Sequence, residues 1–560
     1  MKVLFLFFMV PGISFSQAKQ DTSHLEKFAN VFFAWRALQQ PCGPDDIPRV
    51  QRPAGWVPRY SKEDLAYYDQ FTQDARVKLK SYEKHLPTRK DSITYLLLRS
   101  AIERVNWELN VLRQPFRNPD FYVHQTLGAI YELLLISSPM TNERTEDIIL
   151  RLRSVPATVG NARENLTDPI RAFADIAIEN LEGVRIKMNH CISALEKVCH
   201  PGYHASLRSA ADSAVLSLEE YRQWLLARRG TMKSRFNIDR DMYTYFLKYI
   251  ALIPVTPEDL VLMGRMEWNR AVALETMEQH RNRKLSEDPL FETIEQQVEQ
   301  ERKDEAEVRK FLEQNRLLTI PKETGHYLHR PVPDHLKPFT FMGVPDDLTG
   351  ENRLGEDGYH YIPPPSRELP FFYLATARDP RPIIVHEGIP GHYFQLVRAW
   401  QNPDPIRRRY FDSGANEGIG FYVEELLLQQ GLFDNKPRTR EILYRFMRLR
   451  ALRVEADVML ALNRFSVEEA ADFLVTKVPM DRVTAGEEAR FFAYNPGQAI
   501  SYQAGKSQIL QFLSDAKAIQ GDNFDLKAFH DYLMVNGNVP IALLRWEDTG
   551  VNDEIAKLWN

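Results

Sequence analysis

Cysteine is scarce in this sequence of 560 residues, which contains three of them: Cys42, Cys191 and Cys199. An odd, small number excludes a scaffold held together by disulfides. Cys191 and Cys199 are eight residues apart, about 12 Å of rise within one helix, which is beyond disulfide reach. A bridge between them requires the helix to end early, and the same separation argues against a zinc site built from them and their neighbouring histidines.

The sequence also lacks an excess of charge of one sign and long apolar runs. Its 71 Lys and Arg against 76 Asp and Glu leave a net charge of −5, which gives no argument for nucleic acid or anionic lipid as a partner. Beyond the N-terminus, no stretch approaches the ~20 apolar residues that a membrane-spanning helix needs. We therefore expect a globular protein with no nucleic-acid partner and no membrane span; the composition leaves the oligomeric state open.

Residues 1–18 have the pattern of a signal peptide. Met1 and Lys2 are followed by an apolar run, residues 3–10, and then by small residues around Ser16 and Ala18. The run is too short to span a bilayer, and no cysteine lies near the cleavage region to carry a lipid anchor. The mature protein is therefore predicted to be exported, periplasmic or secreted.

Most of the remaining chain has helical periodicity. The pattern predicts long helices over residues 61–85, 92–113, 163–198, 205–229 and 256–318. The proline- and aromatic-rich region 321–382 instead predicts loops and a small sheet, with strands at residues 337–342 and 368–375. We expect a mainly α protein with an N-terminal helical lobe (residues 19–235) and a second lobe (residues 236–560).

Residues 386–392, with the sequence HEGIPGH, carry the strongest functional pattern. In many zinc enzymes two histidines four residues apart bind the metal, and the Glu after the first acts as general base. Here His392 follows His386 by six residues, which on a regular helix leaves the side chains roughly 120° apart in azimuth and about 9 Å apart along the axis. Because Pro390 breaks the helix and Gly391 tolerates unusual backbone angles, we predict that His392 turns back towards His386.

Glu417 is the predicted third ligand, since it opens a segment whose apolar periodicity indicates a helix. Two His and one carboxylate leave the fourth position of a tetrahedral zinc open, which is the ligand set of a catalytic site. Glu387 would then take a proton from water at that position. Two simpler interpretations remain: such a His-Glu pair arises by chance in long chains, and Pro-Gly is an ordinary helix terminator.

Three blocks of sequence, in order, resemble a large, mostly bacterial family catalogued as domain of unknown function eight-eight-five. Residues 386–395 are similar to its HExxPGHxxQ motif, residues 417–424 to its EGWAxYxE block, and residues 495–506 to its PGQAxSYxxG block. A looser match at residues 371–380 is like the strand that precedes the His-Glu helix in the family.

The family is placed among gluzincin-type metallopeptidases, so the resemblance has implications for fold and activity. It implies a large helical zincin-like (gluzincin) architecture, with the small sheet edge next to the zinc helix. It also implies a Zn²⁺ cofactor and peptidase activity, with His386, His392 and Glu417 as metal ligands.

The chain departs from the family pattern at three positions. Ile419 and Gly420 stand where the family has Trp and Ala, which suggests a reshaped pocket. The family also carries a His a few residues after an Asp that matches Asp457, and Ala461 occupies that place here. If that His stabilises the transition state, this protein uses another group or is impaired.

We therefore predict a zinc metallopeptidase that acts on a peptide or small amide substrate. Glu387 activates water, and Tyr502, in the third block, donates a hydrogen bond to the developing oxyanion unless it is a core tyrosine. Residues expected to orient the site or line the pocket are Tyr422, Glu424, His360 and Tyr373.

Two alternatives stay open at this point. One is a catalytically impaired protein that binds ligands at the zinc site, and the other is an amidase or esterase that acts on a non-peptide carbonyl. The retained Glu387 argues against the first, because a pure binding site has no use for a base beside the metal.

Overall fold

The computed structural model describes residues 22–43 and 50–559. The predicted signal peptide, residues 1–18, lies outside them, and the division into lobes at residue 235 stays a prediction. Among the described residues the helices of the first half are α1 (Thr22–Gln39), α2 (Lys62–Tyr82), α3 (Arg89–Asn106), α4 (Gln114–Arg117), α5 (Pro119–Val123), α6 (Ala129–Leu134), α7 (Asn142–Asn165), α8 (Arg171–Asn180), α9 (Val184–Leu195), α10 (His204–Arg228), α11 (Arg240–Tyr249), α12 (Pro257–Arg281) and α13 (Ile294–Gln314).

The second half is helical as well. Its helices are α14 (Phe371–Thr376), α15 (Arg381–Ile383), α16 (His392–Trp400), α17 (Pro405–Arg409), α18 (Ser413–Gln430), α19 (Pro437–Ala461), α20 (Val467–Lys477), α21 (Arg482–Tyr494), α22 (Ser501–Gln520), α23 (Leu526–Val535), α24 (Ile541–Thr549) and α25 (Asp553–Trp559). Shorter π-helical turns occur at Trp107–Val111, His124–Gly128 and Ile384–Gly388, and 3-10 turns at Pro201–Tyr203, Arg229–Thr231, Lys337–Met342 and Gly521–Asn523.

A three-stranded sheet lies between the two halves in sequence. It consists of β1 (Tyr327–Pro331), β2 (Asp346–Asp347) and β3 (Gly358–Ile362), in the order β1-β3-β2, with β1 parallel and β2 antiparallel to β3. The expectation of a mainly α protein with a small sheet is confirmed.

The predicted positions of the strands were wrong. Residues 337–342 form a 3-10 turn, and most of residues 368–375 belong to α14. Aromatic residues favour strands, but that preference depends on context and is overridden in both segments. Only the second segment shows a local cause. Pro370 precedes α14, and the carboxylate of Asp481 accepts a hydrogen bond from the Phe371 N–H at 2.9 Å, which satisfies a donor of the first turn.

The helix predictions succeeded where a cap was present. Ser61 and Thr256 both form capping boxes, with Asp64 and Asp259, at the starts of α2 and α12. Residues 163–198 are not one helix, since Gly183, at φ +64°, separates α8 from α9. Residues 256–318 are two helices, α12 and α13, separated by a loop.

Pairs of long helices build the packed interior. α7 packs along α10, α12 along α19, and α18 along α22. The contact between α18 and α22 is very close, because a Cβ atom at Gly418 would lie 2.6 Å from the Cα of Gly505. This contact fixes the position of α22 relative to α18, the helix that carries Glu417.

The three cysteines are buried and free. None of the helices found in residues 22–43 and 50–559 combines the length and the apolar character that crossing a bilayer requires.

Glu301, on α13, supports the outer edge of β1 and is strongly desolvated. Its Oε2 accepts a hydrogen bond from the His329 N–H at 2.9 Å. The edge N–H of β1 is thus already hydrogen-bonded at this point. Some proteins hold a peptide by adding it as a strand to an exposed sheet edge, and this bond argues against such binding at β1. Burial, the largest cause, raises the pKa of Glu301 from 4.5 to about 8, although the His329 N–H acts against it.

We expect Glu301→Gln to become increasingly stabilising as the pH rises. The raised pKa means that the folded protein binds a proton that the unfolded chain releases, so stability is lost between about pH 4.5 and pH 8. Glutamine keeps the acceptor for His329 but cannot ionise. The free energy of unfolding of the variant should therefore exceed that of wild type by a few kcal/mol at high pH, since each pH unit between the two pKa values corresponds to about 1.4 kcal/mol. Denaturant unfolding at pH 5 and pH 8.5 measures it, with the exposed Glu299→Gln as control. An equal difference from wild type at both pH values would contradict the expectation.

Candidate metal centre

The two predicted histidine ligands lie on different helical elements. His386 belongs to the π-helical turn Ile384–Gly388, which is followed by an extended Ile389, and His392 is the first residue of α16. Both side chains are buried, and their imidazole rings converge with centroids 4.8 Å apart and planes at 80°. The chain therefore breaks between them, as predicted from Pro390, and the break brings the two rings together.

Gly391 makes this break possible. A Cβ atom at this position would lie 1.8 Å from the carbonyl oxygen of His386, which no side chain can tolerate. The backbone entering α16 thus passes directly against the turn that carries His386. This contact lets the chain turn back within six residues, so that His392 meets His386.

Glu417 joins the two histidines from α18. This helix begins at Ser413, four residues before the predicted start, and is capped by Asp412, which accepts a hydrogen bond from the Ala415 N–H at 2.8 Å. The Oε2 atom of Glu417 lies 3.6 Å from Nε2 of His386 and 3.4 Å from Nε2 of His392. Two ligands at about 2.05 Å from a tetrahedral zinc are about 3.3 Å apart, so these separations fit a shared ion.

Glu387 lies beside the same cluster at longer range. Its two carboxylate oxygens are each 3.9 Å from an Nε2 atom, one from His386 and the other from His392. Ligand atoms of these three residues lie within 4.8 Å of one another, so Glu387 is also within reach of an ion. The shorter distances, and an Oε2 with no hydrogen-bond partner among the described residues, favour Glu417 as the carboxylate ligand.

The charges within the cluster shift the pKa values of its members in opposite directions. Burial and Arg450 lower the pKa of His386, but the carboxylates of Glu424, Glu387 and Glu417 outweigh them and raise it to about 9. Burial raises the pKa of Glu387 despite the opposing charges of the two histidines, whereas those histidines hold the pKa of Glu417 well below its usual range. Metal binding would displace the proton that this raised pKa keeps on His386.

Glu424 orients the first histidine. Its Oε1 lies 2.7 Å from Nδ1 of His386, on the side of the ring opposite Nε2. Arg450, on α19, contacts both oxygens of this fully buried carboxylate, at 2.7 and 3.0 Å. A carboxylate at Nδ1 leaves Nε2 for a metal, which is the usual arrangement around ligating histidines. Arg450 was missed in the sequence, although an arginine on a helix otherwise rich in buried apolar residues was an available signal.

Gly420 and Ile419, the two residues near Glu417 that differ from the family pattern, lie in different surroundings. A Cβ atom at Gly420 would lie 2.8 Å from Cε1 of His386 and 3.0 Å from Cε1 of His392, so glycine lets both rings pack against α18. Ile419 is fully buried in the main hydrophobic core.

Tyr502 reaches the same cluster from α22. Its ring is stacked parallel to that of His386, at a centroid distance of 6.4 Å and an angle of 12°. The guanidinium of Arg453 lies 4.4 Å from the centre of the Tyr502 ring, and Arg453 also pairs with Glu488. The close crossing of α18 and α22 therefore brings Tyr502 to the predicted ligands from about 85 residues away in sequence.

Asp457 holds the loop before Tyr502 in place. Its carboxylate accepts hydrogen bonds from the N–H groups of Gly497 (2.8 and 3.0 Å) and Ala499 (2.9 Å), and from the hydroxyl of Tyr243 (3.0 Å). Ala461, which replaces a family histidine, packs in an apolar cluster with Val458 and its neighbours. That position therefore supplies no polar group to the metal centre.

The remaining predicted residues fall in two places. The hydroxyl of Tyr422 lies 2.8 Å from Nε2 of His530, in a polar pair separate from the cluster. His360, on β3, stacks on Tyr373 at a centroid distance of 6.0 Å, and the charge of Glu387 acts on both. The charge of Glu387 thus reaches His360 and Tyr373, whereas Tyr422 pairs with His530 away from the cluster.

A family model described as "Bacterial protein of unknown function (DUF885)" matches residues 49–547. No curated protein shows significant similarity to the chain.

Two solved structures share its fold. A candidate lipoprotein from Colwellia psychrerythraea has a TM-score of 0.72 at 18% identity, over 94% of this chain and 98% of that one. A candidate lipoprotein of unknown function from Shewanella oneidensis has a TM-score of 0.68 at 17% identity, over 94% and 99%.

Proposed function

The chain belongs to the DUF885 family of bacterial proteins, and from this premise we propose that it is an exported, gluzincin-type zinc metallohydrolase that cleaves peptide bonds. One observation carries the proposal. Nε2 atoms of His386 and His392 and Oε2 of Glu417 surround one point, and a second carboxylate, Glu387, lies beside them without being needed as a ligand.

The donor set fits zinc. Two imidazoles and one carboxylate suit a borderline-soft ion without any thiolate, and three protein ligands leave a position open. The buried Oε2 of Glu417, which lacks a hydrogen-bond partner among the described residues, would be satisfied by an ion. When bound, zinc supplies Lewis-acid polarisation of a carbonyl group and makes water a better nucleophile.

The chain's own residues divide the remaining work. Glu387 accepts the proton of the attacking water and passes it to the leaving nitrogen. Glu424 and Arg450 keep His386 in the tautomer and orientation that a ligand needs. Tyr502 donates a hydrogen bond to the oxygen that becomes negatively charged.

Export is part of the proposal. It is supported by the pattern of residues 1–18 and by the description of two proteins of the same fold as candidate lipoproteins. The amidase or esterase alternative uses the same groups on a different carbonyl, so amides and esters should be tested as substrates beside peptides.

Zinc content is the first measurement. After expression with added zinc, we expect close to one zinc per chain in the wild type and in His190→Ala, which changes an exposed histidine far from the cluster in sequence. His392→Ala should lose the metal, because the substitution removes one of the two imidazole ligands. Elemental analysis that finds under a tenth of an equivalent in folded wild type would overturn the assignment.

Hydrolysis is the second measurement. The zinc-loaded protein is incubated with a mixed peptide library and with simple amides and esters, and a chelated sample serves as control. Cleavage of peptides that disappears on chelation supports the peptidase. A protein that holds zinc but cleaves nothing would support the impaired binding protein instead, an alternative motivated by the apolar position of Ala461.

A further inference from the structure

Three buried polar side chains form one row across the small sheet. His329 on β1 is paired in register with His360 on β3, and His360 is paired with Asp346 on β2. Residues in register on neighbouring strands project from the same face. The imidazole rings are 5.1 Å apart, and Nδ1 of His360 lies 2.5 Å from Oδ1 of Asp346. The row is therefore continuous, from His329 through His360 to Asp346.

This row faces the turn that carries the general base. Tyr327, two residues before His329 on β1, projects from the same face of the sheet. Its ring packs against Gly388, where a Cβ atom would come within 2.5 Å of Tyr327 Cδ1. Since Gly388 directly follows Glu387, the face that carries the row is turned towards the base. Electrostatic coupling agrees, because the charge of Glu387 acts on both Tyr327 and His360.

The bonding of the row leaves ring nitrogens available to a ligand. Asp346 occupies Nδ1 of His360, so Nε2 is the nitrogen that remains for a ligand. His329 is 1% exposed, and neither of its ring nitrogens has a hydrogen-bond partner within the described part of the chain. A buried imidazole without partners is costly, so this row is built to receive a polar group from a ligand.

Resting on the proposed function, we infer that His360 is a catalytic hydrogen-bond donor to the reacting carbonyl group of the substrate. Asp346 is the positioning residue that fixes its ring, and His329 is the neighbouring polar wall. His360 approaches from the sheet beside Glu387, whereas Tyr502 approaches from α22 against His386. The substrate carbonyl is thus held between a strand wall and a helix wall.

Two amide substitutions at one position separate this role from a structural one. In His360→Asn the amide nitrogen replaces Nδ1, so the bond to Asp346 survives and the donor towards the site is lost. In His360→Gln the amide nitrogen reaches the place of Nε2 and keeps a donor there. We expect kcat to fall about 10²-fold in His360→Asn, by analogy with the loss of other oxyanion donors, and much less in His360→Gln. Melting temperature and KM should change little in His360→Asn.

A binding measurement supplies a readout that does not depend on turnover. Acetohydroxamate, a small ligand of catalytic metal ions that needs no side-chain recognition, is titrated into Co²⁺-substituted protein and followed by visible absorption. His360→Asn should bind it about tenfold more weakly than wild type, and His360→Gln nearly as well as wild type, while Co²⁺ content stays the same in all three.

The outcomes separate the inference from the proposed function. Equal kcat and equal acetohydroxamate affinity in wild type and His360→Asn would overturn the role of His360 and leave the metallohydrolase intact. A lowered melting temperature with normal kcat per folded molecule would show a structural Asp346–His360 pair, which also overturns it. Failure of the folded wild type to hold Co²⁺ or Zn²⁺ would overturn the proposed function instead.

Discussion

Glu387→Gln is expected to keep its zinc and lose nearly all of its turnover. An amide is close to the carboxylate in shape but cannot accept the proton of the attacking water, and loss of such a base costs about 10²–10⁴-fold in rate. The metal should remain, because the Oε2 of Glu417 is closer to both histidine Nε2 atoms than either Glu387 oxygen. The measurement is kcat on the best peptide from the library, together with zinc content of the same sample.

Glu368→Gln is the matched control, since it makes the same chemical change at an exposed position. It should retain both zinc and activity. If Glu387→Gln loses its zinc, Glu387 is a ligand and the base must be assigned elsewhere. If it keeps both zinc and full turnover, the mechanism proposed for this site is wrong.

The convergence of the two histidines beside Glu387 could be predicted because the information for it is local. His386, Glu387 and His392 lie within seven residues, and Pro390 predicts the break in the helix that their spacing requires. The sequence did not reveal how the chain turns back after this break to bring the two rings together. This turn depends on the Gly391 backbone lying against the His386 carbonyl, and on Gly420 admitting both rings, which are contacts between separate elements.

The sheet row was largely missed for a related reason. His360 was expected to line the pocket, but His329 and Asp346 were not singled out. Their relation depends on strand register, and the three strands are separated by long loops with no periodic signal of their own. Aromatic residues instead pointed to strands at residues 337–342 and 368–375, which form a 3-10 turn and, for the most part, the short helix α14. Short strands in a proline-rich region are therefore where sequence reasoning was weakest.

The third block of sequence is connected to the His–Glu cluster through helix packing. α18 and α22 approach so closely at Gly418 and Gly505 that their side chains share one wall of the site. Asp457 then fixes the loop at Gly497 and Ala499, just before α22 begins. The family resemblance suggested that the block matters, and the structure supplies the physical reason: it delivers Tyr502 to the face of His386.

Tyr502→Phe is expected to lower kcat by about 10²–10³-fold, or roughly 2.7–4 kcal/mol of transition-state stabilisation. The substitution removes only the hydroxyl. The ring keeps its stacking on His386 and its contact with Arg453, so folding and zinc content should survive, and KM should change little. Steady-state kinetics and melting temperature are measured on the same zinc-loaded sample.

Tyr422→Phe is the matched control, because it removes a hydroxyl from a tyrosine on α18 that bonds His530 rather than the metal cluster. A buried hydrogen bond lost in this way costs about 1–3 kcal/mol of stability, since it leaves a partner unsatisfied, and turnover per folded molecule should stay normal. The two variants should therefore show opposite patterns: normal stability with low kcat for Tyr502→Phe, and low stability with normal kcat for Tyr422→Phe. If Tyr502→Phe instead behaves like Tyr422→Phe, its hydroxyl is a structural group. The other wall would then be the place to look for the oxyanion donor, with His360 as the candidate there.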